Sequence, residues 1–176
     1  MTHKGSFTMN LETLKIIAPE RLQQQSVTAV LLALGSNHRA EHYLSRVRMK
    51  LQAFGRVQLS TAFQNPDFTA TVENPKPDYT NQCVYLNLSS ATTLQQLQQS
   101  FKSFEGDCNR QRKIEPNAIR QVTMDIDILL IKLTSNKNSL SDKSISEWIV
   151  MADRYPFKAH ESAGIEELIV GSGTDC

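Results

Sequence analysis

Glycine-rich phosphate cradles are missing from this chain. Neither G-x-x-x-x-G-K-[ST] nor G-x-G-x-x-G occurs, so a bound nucleotide would have to be held by basic side chains and metal. Cysteine is scarce too. Cys83, Cys108 and Cys176 are three in number and widely spaced, which excludes a disulfide framework and a zinc pattern and fits a reducing, cytoplasmic compartment. As the last residue, Cys176 is not placed for prenylation of a four-residue terminal motif. Surplus charge is absent: a net charge of +1 argues against a general nucleic-acid binder, which needs a clustered basic excess. Long apolar runs are absent as well, because the one near the start, Leu14 to Ala18, is too short and broken for a signal peptide or membrane span. A cytoplasmic protein with no membrane partner is expected.

What is present reads as one ordinary domain, with 176 residues, 40% of them hydrophobic and 21% charged. Residues 1–26, mostly polar around a short amphipathic piece, are expected to form a loosely attached extension, and residues 27–176 a single domain. Val27 to Leu34 is a continuous β-capable run closed by Gly35-Ser36-Asn37, and reads as a buried central strand. From Ala40 to Phe54, Tyr43, Leu44, Val47, Leu51 and Phe54 recur at helical spacing, with Gly55 as the stop. A second strand is expected over Val57 to Phe63. Pro66, Pro75 and Pro77 then break regular structure from Gln64 to Asn81, and a loop of that length inside a domain is more often functional than idle. Cys83 to Ser89 reads as the third strand. Leu94, Leu97, Phe101 and Phe104 mark a second helix ending near Gly106, before the basic stretch Arg110 to Lys113. The fourth strand carries Asp125 and Asp127. After a polar loop over Ser135 to Ser146, Glu147 to Met151 and Gly164 to Val170 are short apolar pieces of undetermined type. The order is β-α-β-β-α-β, so the expected class is α+β and ferredoxin-like, an antiparallel sheet with the helices on one face.

The chemistry centres on Thr123-Met124-Asp125-Ile126-Asp127-Ile128-Leu129. Side chains at i and i+2 of a strand share a face, so Asp125 and Asp127 point one way and Met124, Ile126 and Ile128 the other. Two carboxylates held roughly 6 to 7 Å apart on a strand repel. A divalent cation, for which magnesium is the hard-ligand choice, or several arginines would stabilise them; a solvated sheet face, or a salt-bridge partner for a nearby Arg, is the plainer alternative. Arg110, Arg112, Lys113 and Arg120 lie between the second helix and this strand, where guanidinium groups could neutralise a transferring phosphoryl group. His38 and His42, at i and i+4, lack a third ligand and read as surface residues. Cys108 has no histidine beside it and reads as a bystander thiol. An RNA-binding module of the same topology would need stacking aromatics on its central strands, where only Tyr85 occurs.

Several landmarks in order and spacing give the chain a resemblance to the 6-hydroxymethyl-7,8-dihydropterin pyrophosphokinase family. They are Ala33-Leu34-Gly35-Ser36-Asn37, Ser60 to Pro66, Pro77-Asp78-Tyr79-Thr80-Asn81, Phe104-Glu105, Arg110-Gln111-Arg112 and Thr123 to Leu129. The resemblance implies Mg²⁺-dependent transfer of the terminal diphosphate of ATP to the hydroxymethyl group of a reduced pterin, in folate biosynthesis. It implies two Mg²⁺ ions on Asp125 and Asp127, Tyr79 and Asn81 on the pterin, and Glu105, Arg110, Arg112 and Arg154 on ATP, with Arg110 and Arg120 as catalytic groups. The Gln64 to Asn81 and Arg112 to Arg120 segments would be flaps over the substrates, and a monomer is expected. This chain departs from the family where Ile114 to Gln121 holds neither Trp nor Gly, where Asn65-Pro66-Asp67 replaces Thr-Pro-Pro, and where Val122 takes the place of an Arg. The family's Pro-His pair is missing, with Trp148 at the His position. The alternative these departures suggest is a relative that acts on another small heterocycle, or binds pterin or nucleotide without turnover.

Overall fold

The computed structural model describes residues 11–112, 121–134 and 148–171. Its elements run β1 (Lys15–Ile17), β2 (Ser26–Ser36), α1 (Ala40–Gln52), β3 (Gly55–Leu59), β4 (Phe63–Asn65), β5 (Tyr79–Thr93), α2 (Leu94–Asp107), β6 (Asp125–Leu133), β7 (Trp148–Met151) and α3 (Ala159–Gly171). One seven-stranded sheet has the order β1-β7-β6-β2-β5-β3, with β4 also paired to β5. This is an α+β architecture. No helix among the described residues is long and apolar enough to cross a membrane.

The continuous apolar run that begins at Val27 makes β2 the spine, hydrogen-bonded to β5 on one side and β6 on the other. Such a strand needs cover on both faces. On one face Val30, Leu32 and Leu34 pack with Tyr43, Leu44, Val47 and Leu51 of α1 and Leu94, Leu97 and Phe101 of α2. On the other, Ala29, Leu31 and Ala33 pack with Leu130, Trp148 and Val150 and with Ile165 and Leu168 of α3. The expectation of helices on one face is therefore corrected. The stretch Gly164 to Val170 belongs to a third helix, without which the second face would meet water. Gly164 permits its close approach, since a Cβ there would lie 2.4 Å from Cys83 Sγ.

The sheet is also mixed rather than wholly antiparallel, because β1 runs parallel to β7. These strands come from opposite ends of the chain, and no hairpin between them dictates direction. The stretch expected to be loosely attached thus contributes a paired strand, and Pro19 and Leu22 behind it are buried. The second strand divides in two at Ser60, whose Oγ accepts the Cys83 backbone N–H at 2.9 Å while its own N–H donates to the Cys83 carbonyl at 3.0 Å. The third begins earlier than expected. Tyr79, Thr80 and Asn81 pair with β4, and Thr80 and Asn81 also with Ser36 and Gly35 of β2, so the end of the proline-containing segment is paired strand. Thr93 and Gln96 close a capping box at the start of α2.

Candidate functional site

Register across the sheet builds the site. Gly35 stands opposite Asn81 of β5 and Asp125 of β6, and Ala33 stands opposite Cys83 and Asp127. Cross-strand partners share a face, so two rows, Asn81-Gly35-Asp125 and Cys83-Ala33-Asp127, lie side by side on the α3 side. The small central residues leave the floor open between polar flanks. A Cβ on Gly35 would come within 3.1 Å of Asn81 Oδ1.

Above this floor is a cavity of about 840 Å³, with Tyr79, Asn81, Asp125, Asp127, Lys158 and Glu161 in its lining and the Asn65 to Thr69 loop at its rim. A second cavity of about 640 Å³ lies against the outer edge of β6, lined by Glu105, Arg112, Asp125, Asp127, Arg154 and Lys158 among others. It exists because β7 pairs only with Leu130, Ile131 and Lys132, leaving the first half of β6 without a neighbour on that side. Both volumes are in the range of small-molecule sites. The aspartates belong to both cavities.

Basic side chains surround the acid pair. Arg110 Nε donates to Asp125 Oδ1 at 3.1 Å, and Arg154 Nη2 to Asp127 Oδ1 at 2.8 Å. Arg112 Nη2 meets Glu105 Oε2 at 2.6 Å, while Glu105 Oε1 accepts the Ile126 N–H at 2.9 Å. Glu105 thereby satisfies an edge N–H of the strand between the two aspartates. Asn109, at φ 59°, makes the left-handed turn that brings Arg110 back to β6. The Arg110 side chain is only 2% exposed, and its Nη2 has no hydrogen-bond partner among the described residues. It lines neither cavity and stands behind Asp125.

Burial pushes the Asp127 carboxyl up to about 6, with Arg154 pulling it back and Asp125 adding to the rise. Desolvation, more than the charges around it, sets this rise. Among the described residues no group of three or more His, Cys, Asp or Glu could enclose a metal ion. Two cavity-facing carboxylates nonetheless fit magnesium, which keeps waters and takes substrate oxygens for the rest of its shell.

The structure brings together Tyr79, Asn81, Asp125 and Asp127 around the larger cavity, and Glu105, Arg112 and Arg154 around the smaller. Arg120 and Lys113 lie outside the described residues, as does most of the Arg112 to Arg120 segment. Val122 is buried, donating its N–H to Asn37 Oδ1 at 2.6 Å and accepting the Asn37 N–H at 2.8 Å. Trp148 packs edge-on against Tyr85 in the second core and lines neither cavity. Lys158, His160 and Glu161 were not foreseen from sequence. The available signal was the capping spacing at the head of α3, where Glu161 Oε1 accepts the Lys158 N–H at 2.9 Å. Neither Cys83 nor Cys108 lines a cavity, and burial raises the Cys83 thiol to about 12 and raises Cys108 as well.

Fold and site together define an α+β protein whose acid pair forms the common wall of two cavities. The chain belongs to the 7,8-dihydro-6-hydroxymethylpterin-pyrophosphokinase (HPPK) family, whose model matches residues 31–148, from β2 to the first residue of β7. Enzymes of this family use ATP and Mg²⁺ and take a pterin substrate. Comparison with curated proteins gave no match.

Proposed function

We propose that the chain transfers the terminal diphosphate of ATP to the hydroxymethyl oxygen of 6-hydroxymethyl-7,8-dihydropterin, in an Mg²⁺-dependent reaction of folate biosynthesis. The central strands β6-β2-β5-β3 with α1 and α2 are read as a ferredoxin-like unit. The observation that carries the functional reading is the shared wall: Asp125 and Asp127 line both cavities, so two substrates seated one on each side meet at the acid pair. The heterocycle is assigned to the larger cavity, where Asn81 offers both amide donors and a carbonyl acceptor and Tyr79 lies beside it. The nucleotide is assigned to the smaller cavity, with Arg112 and Arg154 as charge partners for its phosphates. Asp125 and Asp127 would hold the Mg²⁺, which when bound supplies neutralisation of phosphate charge.

In the transfer, a bond forms between the hydroxymethyl oxygen and the β-phosphorus. The bond from that phosphorus to its α-bridging oxygen breaks, AMP leaves with the oxygen, and the hydroxyl proton passes to solvent. Burial of Arg110 behind Asp125 fixes that carboxylate, and Glu105 fixes the strand between the two acids, so the site is pre-positioned before substrates arrive. Arg120 is retained as a proposed catalytic group on the strength of the resemblance.

One observation favours a second reading, a relative acting on another heterocycle or binding without turnover. Val122, where the family has an Arg, is buried and clamped by Asn37. Incubation with 6-hydroxymethyl-7,8-dihydropterin, ATP and Mg²⁺ separates the two. AMP formation dependent on the pterin is expected; ADP would indicate ordinary kinase chemistry, and substrate binding without AMP the second reading.

A further inference from the structure

Charge around the acid pair is unevenly committed. Among the described residues, Arg110, Arg112 and Arg154 are each held in an ion pair, with Asp125, Glu105 and Asp127 respectively. Lys158 makes no ion pair among the described residues. Among the described residues it is also the one lysine or arginine that lines both cavities: Lys76 faces only the larger, and Lys102, Arg112 and Arg154 only the smaller. Its backbone is anchored, through the bond from its N–H to Glu161 Oε1, while its side chain is exposed. A fixed root with a long, solvated ammonium arm suits a group that follows charge from one place to another.

We infer that Lys158 is a catalytic residue of this site, contacting the diphosphate as it passes from the nucleotide cavity to the heterocycle cavity. The inference rests on the proposed two-substrate reading. A diphosphate in transit leaves its arginine-lined cavity before the new bond to carbon-bound oxygen is complete. During that passage its non-bridging oxygens stand over the wall shared by the cavities, beyond the arginines of the smaller one. An ammonium available from both sides keeps a positive partner on them, and the benefit is greatest between the two ground states. Such a group raises turnover more than it raises the affinity for either substrate. Lys158 forms no covalent bond and keeps its proton throughout; the bonds made and broken are those of the transfer already described.

The test compares Lys158→Ala and Lys158→Arg with the wild-type chain in steady-state AMP formation, alongside direct titrations of Mg·ATP analogue and pterin. Because the side chain is exposed, both variants should fold, and unchanged circular dichroism and melting temperature establish this. For Lys158→Ala, kcat should fall on the order of a hundredfold, while each separate dissociation constant changes less than about threefold. Lys158→Arg should recover most of the rate. A lysine that only decorates the start of α3 would leave kcat within twofold of wild type, and that result overturns the inference. So does a loss confined to the dissociation constant of one substrate. If the wild-type chain forms no AMP from pterin and ATP, the two-substrate reading fails first; wild-type turnover with an indifferent Lys158→Ala condemns the lysine alone.

Discussion

Replacing each aspartate by asparagine should destroy the same function and move stability in opposite directions. Sequence alone leads one to expect that Asp125→Asn and Asp127→Asn both abolish Mg·ATP binding with little effect on the fold, but their surroundings differ. Asp127 has its carboxyl raised from the ordinary 3.8 to about 6, chiefly by burial. Below about pH 4 it is protonated in both folded and unfolded chains; as pH rises through about 6 the folded chain must carry an ill-solvated charge. Its relative contribution to stability is present at low pH and lost on the way up. The gap corresponds to at most about 3 kcal/mol, and the 27% exposure of the side chain reduces this to about 1 to 2 kcal/mol. Asp127→Asn removes that loss and should stabilise the metal-free chain by this amount at pH 7.5, and by almost nothing near pH 4. Asp125 is the counter-ion of an Arg110 side chain that is only 2% exposed. Asp125→Asn leaves a buried guanidinium without an anion, at a cost of about 2 to 4 kcal/mol, tempered by the partial exposure of Asp125. Urea denaturation of the three proteins in chelator at both pH values measures the differences, and calorimetric titration with an Mg·ATP analogue measures the shared loss of binding. Equal stability changes in the two variants would refute the reasoning, as would destabilisation by Asp127→Asn at pH 7.5.

Glu105 offers a second comparison: Glu105→Gln can still accept the Ile126 N–H and should cost about 1 kcal/mol, whereas Glu105→Ala orphans that N–H and should cost about 2 to 4 kcal/mol in a denaturant series. Gly164→Ala drives a methyl towards Cys83 Sγ and should lower stability by about 1 to 3 kcal/mol, with Cys83→Ala in the same chain restoring part of it. Gly35→Ala keeps an ordinary backbone but crowds Asn81 Oδ1. It should weaken pterin binding about fivefold, or about 1 kcal/mol, and leave Mg·ATP affinity unchanged in parallel titrations.

Much of the fold is legible in the chain because local pattern and tertiary demand agree. The apolar run into Leu34, the helical spacing through Leu51 and the spacing of Leu94, Leu97, Phe101 and Phe104 each lead to the element that forms. The alternation at Met124 to Ile128 places both acids on one face, where the register with Gly35 and Ala33 confirms them. The rest depends on partners distant in sequence. Lys15–Ile17 is too short to announce itself as a strand until β7 is there to receive it. Ile165 and Leu168 make a helix face only because β2 is apolar on both sides and needs a second cover. Arg110 reads from sequence as a phosphate ligand, yet its guanidinium is buried against Asp125, since the turn at Asn109 aims it inward. The capping spacing of Lys158 and Glu161 marks a helix start, but the position of Lys158 between two cavities follows from how α3 docks on β5.

The account stands on Asp125 and Asp127 separating two substrates, and a ternary complex with 6-hydroxymethyl-7,8-dihydropterin and a non-hydrolysable Mg·ATP analogue tests this most directly. The heterocycle should lie against Asn81 and Tyr79 in the larger cavity, the nucleotide against Glu105, Arg112 and Arg154 in the smaller, and the β-phosphorus over the acid pair. Both ligands on one side of that pair, or a triphosphate remote from the two aspartates, would contradict it.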